Sequence, residues 1–226
     1  MFKRIVFSAC LAGLLAGLFL TLIQTVQVVP LILETEAYEI SEAATAPVHE
    51  GVTADHHHHD GEWAPADGWQ RTGFTAIANV LIAMGFALLL GAAFILRQGI
   101  DWPQGLLWGL AGYTVFFILP SLGLPPEIPG TFAANLVDRQ AWWLLTVSCS
   151  ALGLALLLLQ RQWRWKLTGA LLLIVPHLIG APHPEVAGGS APQALAQAFL
   201  WATAIVNGLF WLLLGGLTAF MFKRLA

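Results

Sequence analysis

Apolar residues run through this chain in long blocks, separated by short polar intervals and without strand-like alternation. Six blocks stand out: Ile5–Leu33, Thr72–Leu96, Gly105–Leu122, Gln140–Leu159, Leu167–Ala181 and Leu195–Phe222. A hydrocarbon core about 30 Å thick takes about 20 helical residues to cross. The pattern therefore predicts an all-α fold, a polytopic transmembrane helical bundle of six spans. The third and fifth blocks are short and hold Pro120 and Pro176, so five spans is the alternative. Lys3 and Arg4 resemble the start of a signal peptide. The apolar run behind them exceeds the usual h-region of about 7–15 residues and no A-x-A-like site closes it, so a retained span is expected. Residues 1–226 then form a single integral membrane domain.

Composition agrees. The chain is 58% hydrophobic and 10% charged, against about 25% charged for soluble domains. With the amino terminus inside, Lys3, Arg4, Arg97, Arg161, Arg164, Lys166, Lys223 and Arg224 face the cytoplasm. Only Arg71 and Arg139 face out, which is the positive-inside pattern. Both termini are then cytoplasmic. Of the acidic residues, only Asp101 falls inside. An acidic outer surface attracts cations over distance; the plainer reading is a solvated loop. Trp63, Trp69, Trp142 and Trp143 mark the expected outer boundary, and Trp102, Trp163 and Trp165 the inner one. The net charge of −3 argues against a nucleic-acid partner. Cys10 and Cys149 lie in apolar runs and read as buried thiols.

Residues 34–70 are the one long polar excursion, an acidic, His-rich extracytoplasmic loop with no periodicity that marks a helix or strand. Spans one, three and five each approach the outer face through a proline: Pro30, Pro120 and Pro176. Ile118–Gly123 is like Ile174–Gly180, and Ala76-Ile-Ala-Asn79 is like Ala204-Ile-Val-Asn207. These likenesses suggest three parallel two-helix repeats, although the matching residues are common in membranes. Ala9, Gly13 and Gly17, and Gly105 and Gly109, form small-residue stripes suited to close helix packing.

The strongest chemical signal is Asp55-His56-His57-His58-His59-Asp60. Imidazoles suit cobalt, nickel, zinc and copper, and carboxylates add oxygen donors. Adjacent histidines cannot all reach one ion in a fixed geometry, so the tract reads as a labile capture site, or else as a solvated low-complexity segment. His177 follows Pro176 at the end of span five, with His183 six residues on. An intramembrane histidine is a functional candidate; the bland alternative is an imidazole bonded to a neighbouring carbonyl. Glu34 and Glu36 lie past span one on the same side and complete a possible vestibule. Gln24, Gln27, Asn79 and Asn207 would either line a path or bridge helices. No P-loop, HExxH or G-x-S-x-G is present, so no enzyme is expected.

Several stretches resemble the CbtA family, proposed cobalt transporter subunits of bacteria. They are Met1-Phe-Lys-Arg4, Val28–Glu36, the histidine tract running into Trp63–Arg71, Pro176–Pro182 and Asn207–Gly215. The resemblance spans nearly the whole chain in order. It implies a bacterial cytoplasmic (inner) membrane protein tied to cobalt acquisition for cobalamin biosynthesis, and a small single-span CbtB-like partner with its own histidine-rich end. The family is usually described with about five spans. The expected function is uptake of divalent cobalt as cargo, with nickel or zinc as alternatives and no resident cofactor. Asp55–Asp60 would capture the ion, and Glu34, Glu36, His177 and His183 would receive it. The alternative is a non-conducting metal-binding or assembly protein that scaffolds a transporter subunit.

Overall fold

The computed structural model describes residues 2–45, 65–97, 100–186 and 188–225. These residues are overwhelmingly helical. The elements are α1 (Phe2–Gln27), α2 (Val29–Thr45), α3 (Trp69–Leu96), α4 (Trp102–Tyr113), a π turn (Thr114–Ile118), α5 (Leu119–Ser121), α6 (Leu136–Leu159), α7 (Trp163–Ile179) and α8 (Gln193–Leu225). Strand-like pairing among the described residues is limited to an isolated antiparallel bridge between Thr131 and Gly189. A bilayer offers the backbone no water, so closing every N–H and C=O inside helices is the stable answer.

Among the described residues, four helices are long and apolar enough to cross a membrane: Ile5–Gln27, Trp69–Leu96, Leu136–Leu159 and Gln193–Leu225. The other two expected spans are helical but weaker. Helix α7 has 17 residues, about 25 Å at about 1.5 Å per residue. The run Trp102–Ser121 is interrupted by the π turn.

The three prolines take three local forms. The chain breaks at Val28 and restarts as α2 with Pro30 in its first turn, where a missing N–H is tolerated. The π turn precedes Pro120. Helix α7 runs through Pro176 without a break. Packing does not follow the expected repeats either. Helix α1 lies along α3 and α8, α4 along α8, and α6 along α7. Three successive two-helix units would have paired α4 with α6 and α7 with α8.

A second departure concerns residues 34–45, expected as loop and found in helix α2. Glu and Ala are good helix formers, and α1 delivers the chain already turning, so nucleation is not needed again. The rest of the expected loop, residues 46–64 with Asp55–Asp60 and Trp63, lies outside the described residues.

The core sits between α1, α3, α4 and α8. Ala9, Ala16, Ala83, Ala87, Phe94, Val206, Phe210 and Leu214 are buried there. Glycine sets the helix separations. A Cβ on Gly13 would stand 2.5 Å from the Met84 Cα, and one on Gly17 2.5 Å from the Val80 Cα. A Cβ on Gly109 would fall on the Trp211 carbonyl oxygen. The π turn brings Phe116 onto Trp211, stacked at 5.5 Å between centroids, with Phe86 4.7 Å from the same indole. Threonines spend their hydroxyls on their own helices: Thr21 on the Gly17 carbonyl, Thr146 on Trp142 and Thr218 on Leu214.

Helices α6 and α7 form a hairpin beside this core. Helix α6 meets it through α5 and the π turn, near its own amino-terminal half. Its inner side is knitted to α7 by mutual contact of Gly153 and Gly169, where a Cβ on either would come within 2.8 Å and 2.6 Å of the other's carbonyl oxygen.

The ends of the bundle are chemically distinct. At the basic end Ser8 donates to the Met221 carbonyl at 3.5 Å, and Lys223 pairs with Asp101. At the opposite, histidine end, Arg71 pairs with Glu36, and Arg139 with Glu127 at 2.7 Å.

Overpacking such a contact costs about 1–3 kcal/mol, whereas an open mid-helix glycine gains about 0.8–1.0 kcal/mol on becoming alanine. Gly109→Ala is therefore expected to lower the thermal midpoint of the purified protein. Gly85→Ala, whose Cβ would meet nothing within 4 Å, is expected to hold or raise it. Circular dichroism melts in detergent give the comparison; equal midpoints would contradict glycine-controlled packing of α4 on α8.

Candidate functional site

The histidine end is assembled from the far end of α2, the start of α3, the connection between α5 and α6, and the end of α7 with the segment behind it. Glu34 and Glu36 lie on α2. Glu34 is exposed. Glu36 is half-buried and held by Arg71 in a two-pronged contact. Nη2 donates to Oε1 at 2.6 Å and Nη1 to Oε2 at 3.2 Å. The same Nη1 donates to Asp67 Oδ1 at 3.0 Å, one turn back. One arginine thus ties α2 to the start of α3 and holds two carboxylates together at this end of the bundle. Its rigid fork suits such a pair better than a lysine would.

His177 occupies the last turn of α7. Gly180 ends that helix with φ 87°, a left-handed conformation favourable to glycine, and returns its N–H to the Pro176 carbonyl at 3.1 Å. Trp142 of α6 lies against it. Its Nε1 donates to the same Pro176 carbonyl at 3.1 Å, and its ring meets the imidazole edge-on at 5.8 Å. Trp142 is 5% exposed, so it is a packing and positioning residue rather than the boundary indole that the sequence suggested. Trp69, at 87% exposed, fits the boundary role.

One ring nitrogen of the imidazole is left without a hydrogen-bond partner. His177 Nε2 is buried and has no hydrogen-bond partner among the described residues. An unmet buried polar atom costs about 1–3 kcal/mol. Nε2 is therefore not the nitrogen through which a neighbouring carbonyl would satisfy this imidazole. The carboxyl end of a helix carries partial negative charge, which favours a cation beside it.

The remaining candidates are dispersed. His183 is exposed, in the connection from α7 to α8. Asp55, His56, His57, His58, His59 and Asp60 lie outside the described residues. Among the described residues no three His, Cys, Asp or Glu side chains come together as a metal cage. Asn79 donates to Thr21 Oγ1 at 3.1 Å and to Gln24 Oε1 at 2.7 Å, joining α3 to α1 inside the membrane-length region. Asn207 donates to the Thr203 carbonyl of its own helix at 2.9 Å. The first of these amides bridges helices, as such groups commonly do. Cys10 and Cys149 are free thiols.

Sequence reasoning missed Arg71 as the partner of Glu36 and Trp142 as the support of His177. The pair Asp67 and Arg71 has helical spacing, a usable signal. The contact between Trp142 and Pro176 has none, because it depends on how α6 and α7 pack.

No curated protein and no solved structure matches the chain. A family model described as "Probable cobalt transporter subunit (CbtA)" matches residues 2–223. With nearly the full length covered, this chain of apolar helices belongs to the CbtA family.

Proposed function

We propose that the protein is a cytoplasmic-membrane subunit for uptake of divalent cobalt, with six crossings, both termini cytoplasmic and the histidine end outside. The observation that carries the reading is the buried, unpartnered Nε2 of His177 at the negative end of α7. Asp55–Asp60 gathers the ion by loose, exchangeable coordination, with Glu34 and His183 adding donors. Glu36 contributes charge to the same mouth while Arg71 holds it in place. His177 then takes the ion from solvent towards the helices.

Imidazole is a competent cobalt ligand in its neutral form, through a free ring nitrogen. Lone imidazoles in sequence favour hand-over rather than trapping. No P-loop is present, so the driving force comes from the membrane or from another subunit. The potential alone supplies about 4.6 kcal/mol per 100 mV for a divalent ion, twice the single-charge value. A small single-span CbtB-like protein bearing histidines is the partner proposed here. The competing reading is a scaffold that binds metal without passing it.

Radiolabelled cobalt flux into proteoliposomes separates the two. A conducting subunit, alone or with its partner, accumulates many cobalt ions per protein; a scaffold stops at its bound stoichiometry, and that result would remove the uptake role. His177→Ala is expected to lower the initial rate by about tenfold or more at every cobalt concentration, the scale on which losing a metal-orienting group acts. Unchanged flux takes His177 off the path.

Replacing His56, His57, His58 and His59 together with alanine separates capture from passage. The expected result is slower uptake at scarce cobalt with the saturated rate retained. An equal loss at both extremes contradicts a capture role.

A further inference from the structure

Between the α6–α7 hairpin and the core lies a cavity of about 560 Å³. Its walls come from α3, α4 and α6, and Trp211 of α8 lies at its back. Ala93, Ala111 and Ala155 leave the space open. Leu107 and Leu158, both 67% exposed, form its rim towards the surrounding bilayer. The lining is apolar apart from Arg97 and Gln104, and both of these stand at the basic end.

We propose that this cavity is a binding site for one acyl chain of an anionic phospholipid, whose phosphate is held by Arg97. Length is the first argument. Along α3 the lining runs from Arg97 to Phe86, about 16 Å at about 1.5 Å per residue. Half of a hydrocarbon core about 30 Å thick is about 15 Å. The cavity therefore has the depth of one leaflet and ends at the Phe86, Phe116 and Trp211 cluster.

Length also decides against a partner helix. A crossing helix needs a groove that runs about 30 Å, and this one ends at the aromatic cluster about halfway. Small-molecule sites span about 300–1,000 Å³.

Charge is the third argument. Arg97 makes no ion pair among the described residues. The nearby acid, Asp101, is engaged by Lys223. Arg97 thus keeps an open guanidinium at headgroup height, beside an apolar slot. Basic pockets between transmembrane helices are suited to anionic headgroups, and a guanidinium matches a phosphate in two-pronged geometry. The site does not depend on whether the protein conducts cobalt.

The test uses the full chain, purified in detergent and equilibrated with palmitoyl-oleoyl-phosphatidylglycerol or palmitoyl-oleoyl-phosphatidylcholine, then washed. Bound lipid per protein is read by native mass spectrometry. The wild type should retain one phosphatidylglycerol in preference to phosphatidylcholine. Arg97→Gln should weaken phosphatidylglycerol retention by about fivefold, the scale of one basic residue at a membrane surface, and erase the preference. Arg161→Gln, a basic-end change outside the cavity, should do neither. Ala155→Phe fills the slot and should lower retention of both lipids. Equal retention of the two lipids by the wild type, or unchanged phosphatidylglycerol retention in Arg97→Gln, overturns the proposal. If Ala155→Phe fails to fold, the two arginine variants decide alone.

Discussion

The bilayer's refusal to hold unpaired charge is the constraint on which this structure rests. In the four membrane-length helices every Lys, Arg, Asp and Glu falls near a helix end, and the middles carry none. A charged side chain at the centre of a membrane helix costs about 2.5–3.5 kcal/mol even on permissive insertion scales. Charge is therefore exported to two surfaces, and those surfaces differ. One holds basic connections, with Lys223 on Asp101. The other holds most of the described acids, with His177, His183 and Arg71, which gathers Glu36 and Asp67. Within the membrane-length region the polar groups are neutral and mostly satisfied locally, by threonines bonded to their own helices and by Asn79 bonded to α1.

Against that background His177 is an exception with consequences. Glycine contacts draw α6 and α7 together, and the packed pair aligns Trp142 with Pro176 and the imidazole. The ring is thus fixed while Nε2 stays open. In the proposed scheme, capture by the Asp55–Asp60 tract and transfer by the fixed imidazole are separate steps. The family description, a probable cobalt transporter subunit, points to cobalt; imidazole chemistry alone would accept several metals.

Much of the fold was legible in the hydropathy pattern, because apolar block length maps directly onto bilayer thickness. The small-residue stripes Ala9–Gly17 and Gly105–Gly109 were legible for the same reason, since spacing by four places them on one face. Their partners were not: nothing local says that Gly13 meets Met84 or that Gly109 meets Trp211. The helix contacts do not confirm the suggested repeats; short matches such as Ala-Ile-Ala-Asn are also what membrane composition alone supplies. The acidic start of the 34–70 segment lacks the apolar periodicity that marks a helix, so the helix-forming strength of its Glu and Ala residues did not show in the pattern. At the site, residue type drew attention to His177. Its open nitrogen could emerge only from the three-dimensional arrangement of α6 and α7.

The central claim is one of sidedness: arginines and lysines remain with the cell interior, so imidazoles and acids meet arriving ions. Single cysteines at Thr53 and Gln162, in a background lacking Cys10 and Cys149, test it with a membrane-impermeant maleimide on intact cells and on inverted vesicles. The account predicts labelling of the Thr53 site in intact cells and of the Gln162 site only in inverted vesicles. Labelling of the Thr53 site from the cytoplasmic side would contradict it, whatever the number of crossings proves to be.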